Sequence, residues 1–166
     1  MNSKHRCCNV TSMCGRTLCE GIVFIGIVTV IVSSTLLIYS SIYFVRLTSA
    51  PKPYNSHPVL AINMIFALVC TSLSVYQIII SLLLLWQSMK VKQNIYLCSL
   101  WYVSHLSILA LYMILCCAKT VVYLKQKLIW SAVFTISMGL TYQGTYIYFC
   151  VVVNSYLNTL DQDRYF

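Results

Sequence analysis

Residues 21–45, GIVFIGIVTVIVSSTLLIYSSIYFV, decide how this chain is read, because they run for 25 positions without a charge. As a helix rising 1.5 Å per residue the stretch is about 38 Å long, more than the roughly 30 Å of a bilayer's hydrocarbon core. Lys4, Arg6 and Arg16 before it and Thr48-Ser49-Ala50 after it imitate a secretory signal. The apolar part of such a signal is only about 7–15 residues long. Proline directly after the cut, here Pro51, is also unfavourable. The stretch reads as a retained membrane helix.

Three further uncharged apolar runs follow, over residues 58–86, 94–118 and 128–156. Pro58 sits where proline is natural, in a first helical turn. The intervening links are 46–57, stiffened by Pro51 and Pro53, then 87–93 with Lys90 and Lys92, then 119–127. Strands of a membrane barrel are about 10 residues long and alternate apolar with polar. These runs are more than twice that length and apolar all round, and a helix satisfies its own backbone groups in lipid. The expected fold is therefore all-α, a four-helix transmembrane bundle with short loops. A Cys-rich basic arm (1–20) precedes the four-span membrane domain (21–156), and a short tail (157–166) closes it.

Composition agrees. Sixty per cent of the residues are apolar and eight per cent charged, against about 25% charged in soluble domains. The net charge of +8, from 11 basic and 3 acidic residues, does not indicate nucleic acid. The basic residues stand outside the apolar runs and form no cluster, as residues that anchor helix ends at lipid headgroups do. Tyr43, Phe44, Tyr54, Trp86, Tyr96, Trp101, Tyr123 and Trp130 fall near the expected ends, where an interfacial aromatic belt belongs. Trp101 lies deeper than the ideal position.

Four spans put both termini on one side, with Lys4, Arg6, Arg16, Lys90, Lys92 and Arg164. Arg46, Lys52, Lys119, Lys125 and Lys127 fall on the other. Six against five is a slight excess under the positive-inside rule. Cysteines beside basic residues suit a reducing cytosol, whereas the glycosylation sequon Asn9-Val10-Thr11 points the other way. Cytosolic termini are expected.

The polar residues carry whatever chemistry exists. Cys7, Cys8, Cys14 and Cys19 are candidates for thioester lipidation beside the first helix. Their gaps of zero, five and four residues do not make the paired C-x2-4-C ligands of a structural zinc site. No metal or other cofactor is expected. Asn63, Gln77, His105 and Gln143 lie inside the apolar runs, where ionisable and amide groups are expensive. Hydrogen bonds between helices, such as His105 to Gln143, Gln77 or a hydroxyl, are the favoured reading, each contributing about 0.6 kcal/mol. A proton relay would want a carboxylate partner, and Glu20, Asp161 and Asp163 all lie outside the hydrocarbon. Gly21, Gly26, Thr135 and Gly139 offer small surfaces for helix contact, without a strict GxxxG. No P-loop, GxGxxG, GxSxG or HExxH occurs, and Cys98 and His105 stand about 10 Å apart along one helix. An enzyme is not expected.

Cys14-Gly15-Arg16-Thr17-Leu18-Cys19-Glu20-Gly21-Ile22-Val23-Phe24-Ile25-Gly26 resembles the start of the lysosomal-associated transmembrane protein family. It is also similar to a group of short arthropod four-pass proteins of unknown function. Both open with a cysteine cluster, then a glycine starting the first helix and another five residues on. Cys19-Glu20 stand where the family has Arg-Thr. Residues 82–101, with Lys90, Lys92 and Trp101, and residues 146–160, YIYFCVVVNSYLNTL, resemble its basic turn and closing helix. The resemblance implies an endolysosomal or plasma-membrane protein with cytosolic ends. Longer members carry PPxY motifs; none occurs here, so ligase recruitment is not implied. The expected function is non-enzymatic: lateral association with lipids and other membrane proteins, copies of itself included, as a scaffold or trafficking adaptor. The alternative is a transporter or channel subunit with a polar path at His105, Gln77 and Gln143.

Overall fold

A computed structural model describes residues 18–49, 58–88 and 95–162. They form four α-helices: α1 (Leu18–Ser49), α2 (Pro58–Ser88), α3 (Ile95–Lys125) and α4 (Ile129–Gln162). All four are long and apolar enough to cross a membrane. The fold is all-α, as the length and uniform apolarity of the runs require.

The helices run antiparallel in chain order. Gly26 of α1 faces Leu85 of α2, Ser33 bonds Gln77, and Ser40 bonds Thr71, so one number falls as the other rises. The same holds for α2 and α3, through Ser81–Trp101, Tyr76–Ser104, Cys70–Tyr112 and Asn63–Tyr123. Between α3 and α4 it holds through Leu109–Gln143 and Cys116–Gly139. Of the four neighbouring pairs, α1 and α4 touch least. Their shared core joins Ile22 and Ile25 to Phe149, Val153 and Tyr156, all near the N-terminus of α1 and the C-terminus of α4. At the opposite end α1 and α4 part.

Several boundaries differ from expectation. The segment 119–127, expected as a loop, is helical through Lys125, and the link to α4 is only residues 126–128. Thr120-Val121-Val122-Tyr123-Leu124 continues the apolar run between Lys119 and Lys125, and a helix protruding from the bilayer keeps its backbone bonds where a loop would surrender them. The turn is a Schellman motif. Lys127 takes a left-handed φ of 58°, its N–H donates to the Leu124 carbonyl at 3.0 Å, and that of Leu128 donates to Tyr123 at 2.9 Å. The first helix likewise begins at Leu18 and includes Arg46. The fourth runs on to Gln162, into what was read as the tail. Gln87, read as the start of a turn, belongs to α2 and is buried.

Lipid removes most of the hydrophobic drive for helix association, which leaves close packing and polar bonds. At Gly26 an added Cβ would stand 2.7 Å from Leu85 Cδ2 and Cγ, so glycine here lets α1 and α2 approach. Gly26→Ala must displace the Leu85 side chain and is expected to cost roughly 1–3 kcal/mol. A detergent unfolding titration reads this, and wild-type stability in the variant would remove Gly26 from the account of the α1–α2 contact.

Candidate functional site

The sequence-predicted polar residues all lie within the bundle, but they do not converge. Gln77 of α2 is the most connected. Its Oε1 accepts from Ser33 Oγ of α1 at 3.3 Å, and its Nε2 donates to Tyr142 Oη of α4 at 2.7 Å. One amide therefore ties three helices. Gln143 of α4 donates from Nε2 to the Leu109 carbonyl of α3 at 2.9 Å. Asn63 of α2 accepts through Oδ1 from Tyr123 Oη at 2.7 Å.

His105 departs from expectation. It bonds neither Gln143 nor Gln77. Its Nδ1 lies 3.1 Å from the Trp101 carbonyl of its own helix, which can only accept, so Nδ1 carries the proton. Its Nε2 is buried without a hydrogen-bond partner. The imidazole is held by stacking instead, on Trp101 at 3.8 Å and Tyr146 at 5.7 Å between ring centroids. A flat, neutral ring fits between aromatic faces where an amide would leave more polar atoms unsatisfied.

Those rings continue along the bundle. Tyr146 meets Tyr142 at 4.4 Å, Tyr142 meets Tyr112 at 4.7 Å, and Tyr112 meets Phe66 edge-on at 5.8 Å. An aromatic column thus fills the interior from Trp101 to Phe66. Trp101 and Tyr123, expected in the interfacial belt, are buried and are corrected to interior residues. Trp101 donates its indole N–H to Ser81 at 3.3 Å. Trp86, Tyr96 and Trp130 do face outward, at 58%, 73% and 88% exposure.

Of the small residues, Gly21 is buried and Gly139 lies against α3, where an added Cβ would come 3.3 Å from Cys116 Sγ. Thr135, expected to pack against a helix, bonds its own helix through the Ser131 carbonyl and lines a groove between the parted ends of α1 and α4. Cys7, Cys8 and Cys14 lie outside the described residues, and of Cys19 only the backbone is described, in the first turn of α1. Cys70, Cys98, Cys116, Cys117 and Cys150 are free thiols.

One residue of the site was missed by sequence reading. Lys119, assigned to a loop, is on α3 inside the groove, with its ammonium 4.1 Å from the Phe66 ring centroid and 5.5 Å from that of Tyr123. The uninterrupted apolar residues after it were the available signal.

Four helices long and apolar enough to cross a membrane, with Asn63, Gln77, His105 and Gln143 turned inward, define a multi-pass membrane protein. Comparison with family models, curated proteins and solved structures finds no match.

Gln77 and Tyr142 give a direct test of the polar tie. In a double-mutant cycle of Gln77→Leu and Tyr142→Phe, the coupling energy should lie near 0.6 kcal/mol and below about 1.7 kcal/mol. Strict additivity in unfolding experiments would show that the bond does not hold α2 to α4.

Proposed function

We propose that the chain is non-enzymatic and acts by lateral association with other membrane proteins or lipids, with both termini in the cytosol, at an endolysosomal or plasma membrane. One observation carries this reading. The groups that could have lined a polar path are each consumed in packing: Gln77 by Ser33 and Tyr142, Gln143 by Leu109, and His105 by the rings on either side of it. His105 is 0% exposed, enclosed between the rings of Trp101 and Tyr146.

The outer surface supports the same reading. Large apolar side chains, such as Ile31, Ile38, Ile79 and Phe134, face outward around the bundle, available to lipid or to partner helices. The resemblance of residues 14–26 to lysosomal-associated transmembrane proteins supports the endomembrane location. The excess of basic residues beside the termini supports the orientation.

Conduction is the reading to be displaced. Proteoliposomes holding the full chain and a proton- or potassium-sensitive dye are expected to leak no faster than protein-free vesicles. A protein-dependent flux that His105→Ala abolishes, in a variant that folds and accumulates normally, would replace lateral association by transport.

Acylation of the N-terminal arm would add membrane affinity beside the first helix. Hydroxylamine-sensitive lipid labelling is expected in cells and should vanish when Cys7, Cys8, Cys14 and Cys19 are all replaced by serine. An unlabelled parent protein would refute it.

A further inference from the structure

Where α1 and α4 part, they leave an elongated groove of about 510 Å³, within the roughly 300–1,000 Å³ of small-molecule sites. Its walls come from all four helices and are mostly apolar, among them Leu36 of α1, Phe66 of α2, Cys116 of α3 and Phe134 and Met138 of α4. The residues of α1 and α4 beside it are highly exposed, Tyr39 at 68% and Phe134 at 67%, so the groove opens sideways to lipid. Acyl chains can enter it without leaving the bilayer.

Lys119 makes this groove more than a gap between helices. Helix α3 has 31 residues and is about 46 Å long, so when centred on a roughly 30 Å core it overhangs by about 8 Å at each end. Lys119 stands six residues before its end, about 9 Å in, which brings it to the edge of the hydrocarbon. Trp130, in the first turn of α4 and lining the same groove, stands nearer the water at this end. A lysine at that depth ordinarily extends outward to water. Lys119 instead stays half-buried and turns toward Phe66 of the neighbouring helix.

Among the described residues no carboxylate stands near it. The sequence has three, Glu20, Asp161 and Asp163. Glu20 is in the first turn of α1 and Asp161 in the last turn of α4, both at the opposite end of the bundle from Lys119, and Asp163 lies outside the described residues. Two aromatic faces attract the ammonium but carry no net charge. Basic residues inside membrane segments usually pair or face water, and among the described residues no acidic partner stands beside Lys119.

We propose that the groove binds one anionic phospholipid, its phosphate held by Lys119 and one acyl chain lying between α1 and α4 over Cys116 and Met138. This builds on the lateral-association reading and names a lipid class for it. Apolar walls, a sideways opening and a single uncompensated cation at phosphate depth match that ligand and no soluble anion.

The test uses the purified full chain in phosphatidylcholine vesicles, with spin-labelled phosphatidylglycerol or phosphatidylcholine as probe. The wild type should prefer phosphatidylglycerol about five-fold, the factor that ~1 kcal/mol per basic residue gives. Lys119→Gln should bring the preference to about one, while Lys119→Arg keeps it. Lys125→Gln with Lys127→Gln, both exposed at the same end, should leave it unchanged. Glycerol phosphate, the headgroup without chains, should not displace the lipid. Equal association of the two lipids with the wild type overturns the proposal, as does a preference that survives Lys119→Gln or disappears only with Lys125 and Lys127. The two readings fail separately: flux removes lateral association whatever the lipid result, and equal association removes this site whatever the flux.

Discussion

Hydrocarbon offers no hydrogen bonds, and that constraint sets every other feature of this chain. Each backbone N–H and C=O must be paired within the span, so the apolar runs become helices regardless of their valine, isoleucine and threonine content. The same constraint acts on side chains. Ser33, Asn63, Gln77 and Gln143 cannot face lipid at low cost, and each turns inward to a partner on another helix. Threonines on the outer surface, such as Thr35 and Thr141, bond the carbonyl four residues earlier instead.

Inward polar groups and an aromatic column make one end of the bundle dense. Gln77 bridges α1, α2 and α4 near mid-span, and below it Ile22 and Ile25 close against Phe149 and Val153. Beyond Tyr142 no comparable tie joins α1 to α4 among the described residues, and the two helices separate. Density at one end and a lateral opening at the other follow from where the bonding residues fall along the helices. The opening coincides with the end that carries Arg46, Lys119, Lys125 and Lys127, and of these Lys119 lines the groove.

The residues that separate the two rival functions are the same three. His105, Gln77 and Gln143 would line a conducting path or lock a packed bundle, and their chemistry permits both. Their partners favour packing, because an amide that donates and accepts across helices has little left for a passing ion. His105 is the exception in kind: it contributes through its ring faces, and its Nε2 is left without a bond.

The sequence by itself determined the medium, the number of spans and their helical nature, because charge-free runs of 25 residues or more admit few other solutions in lipid. It also picked out the interior amides and Gly26, since polar or very small residues in an apolar run must serve contacts. The pairings were not legible: His105 stacks on Trp101 and Tyr146 where an amide or hydroxyl partner on another helix was expected, and Trp101 left the belt for the interior. Uniformly apolar helices carry no facial periodicity to say which side meets which neighbour. Lys119 shows the same limit from the other direction, because a lysine at the end of a hydrophobic run reads as a loop residue. Only the packing of four helices decided that it would lie in a groove, against aromatic rings, with no carboxylate beside it among the described residues.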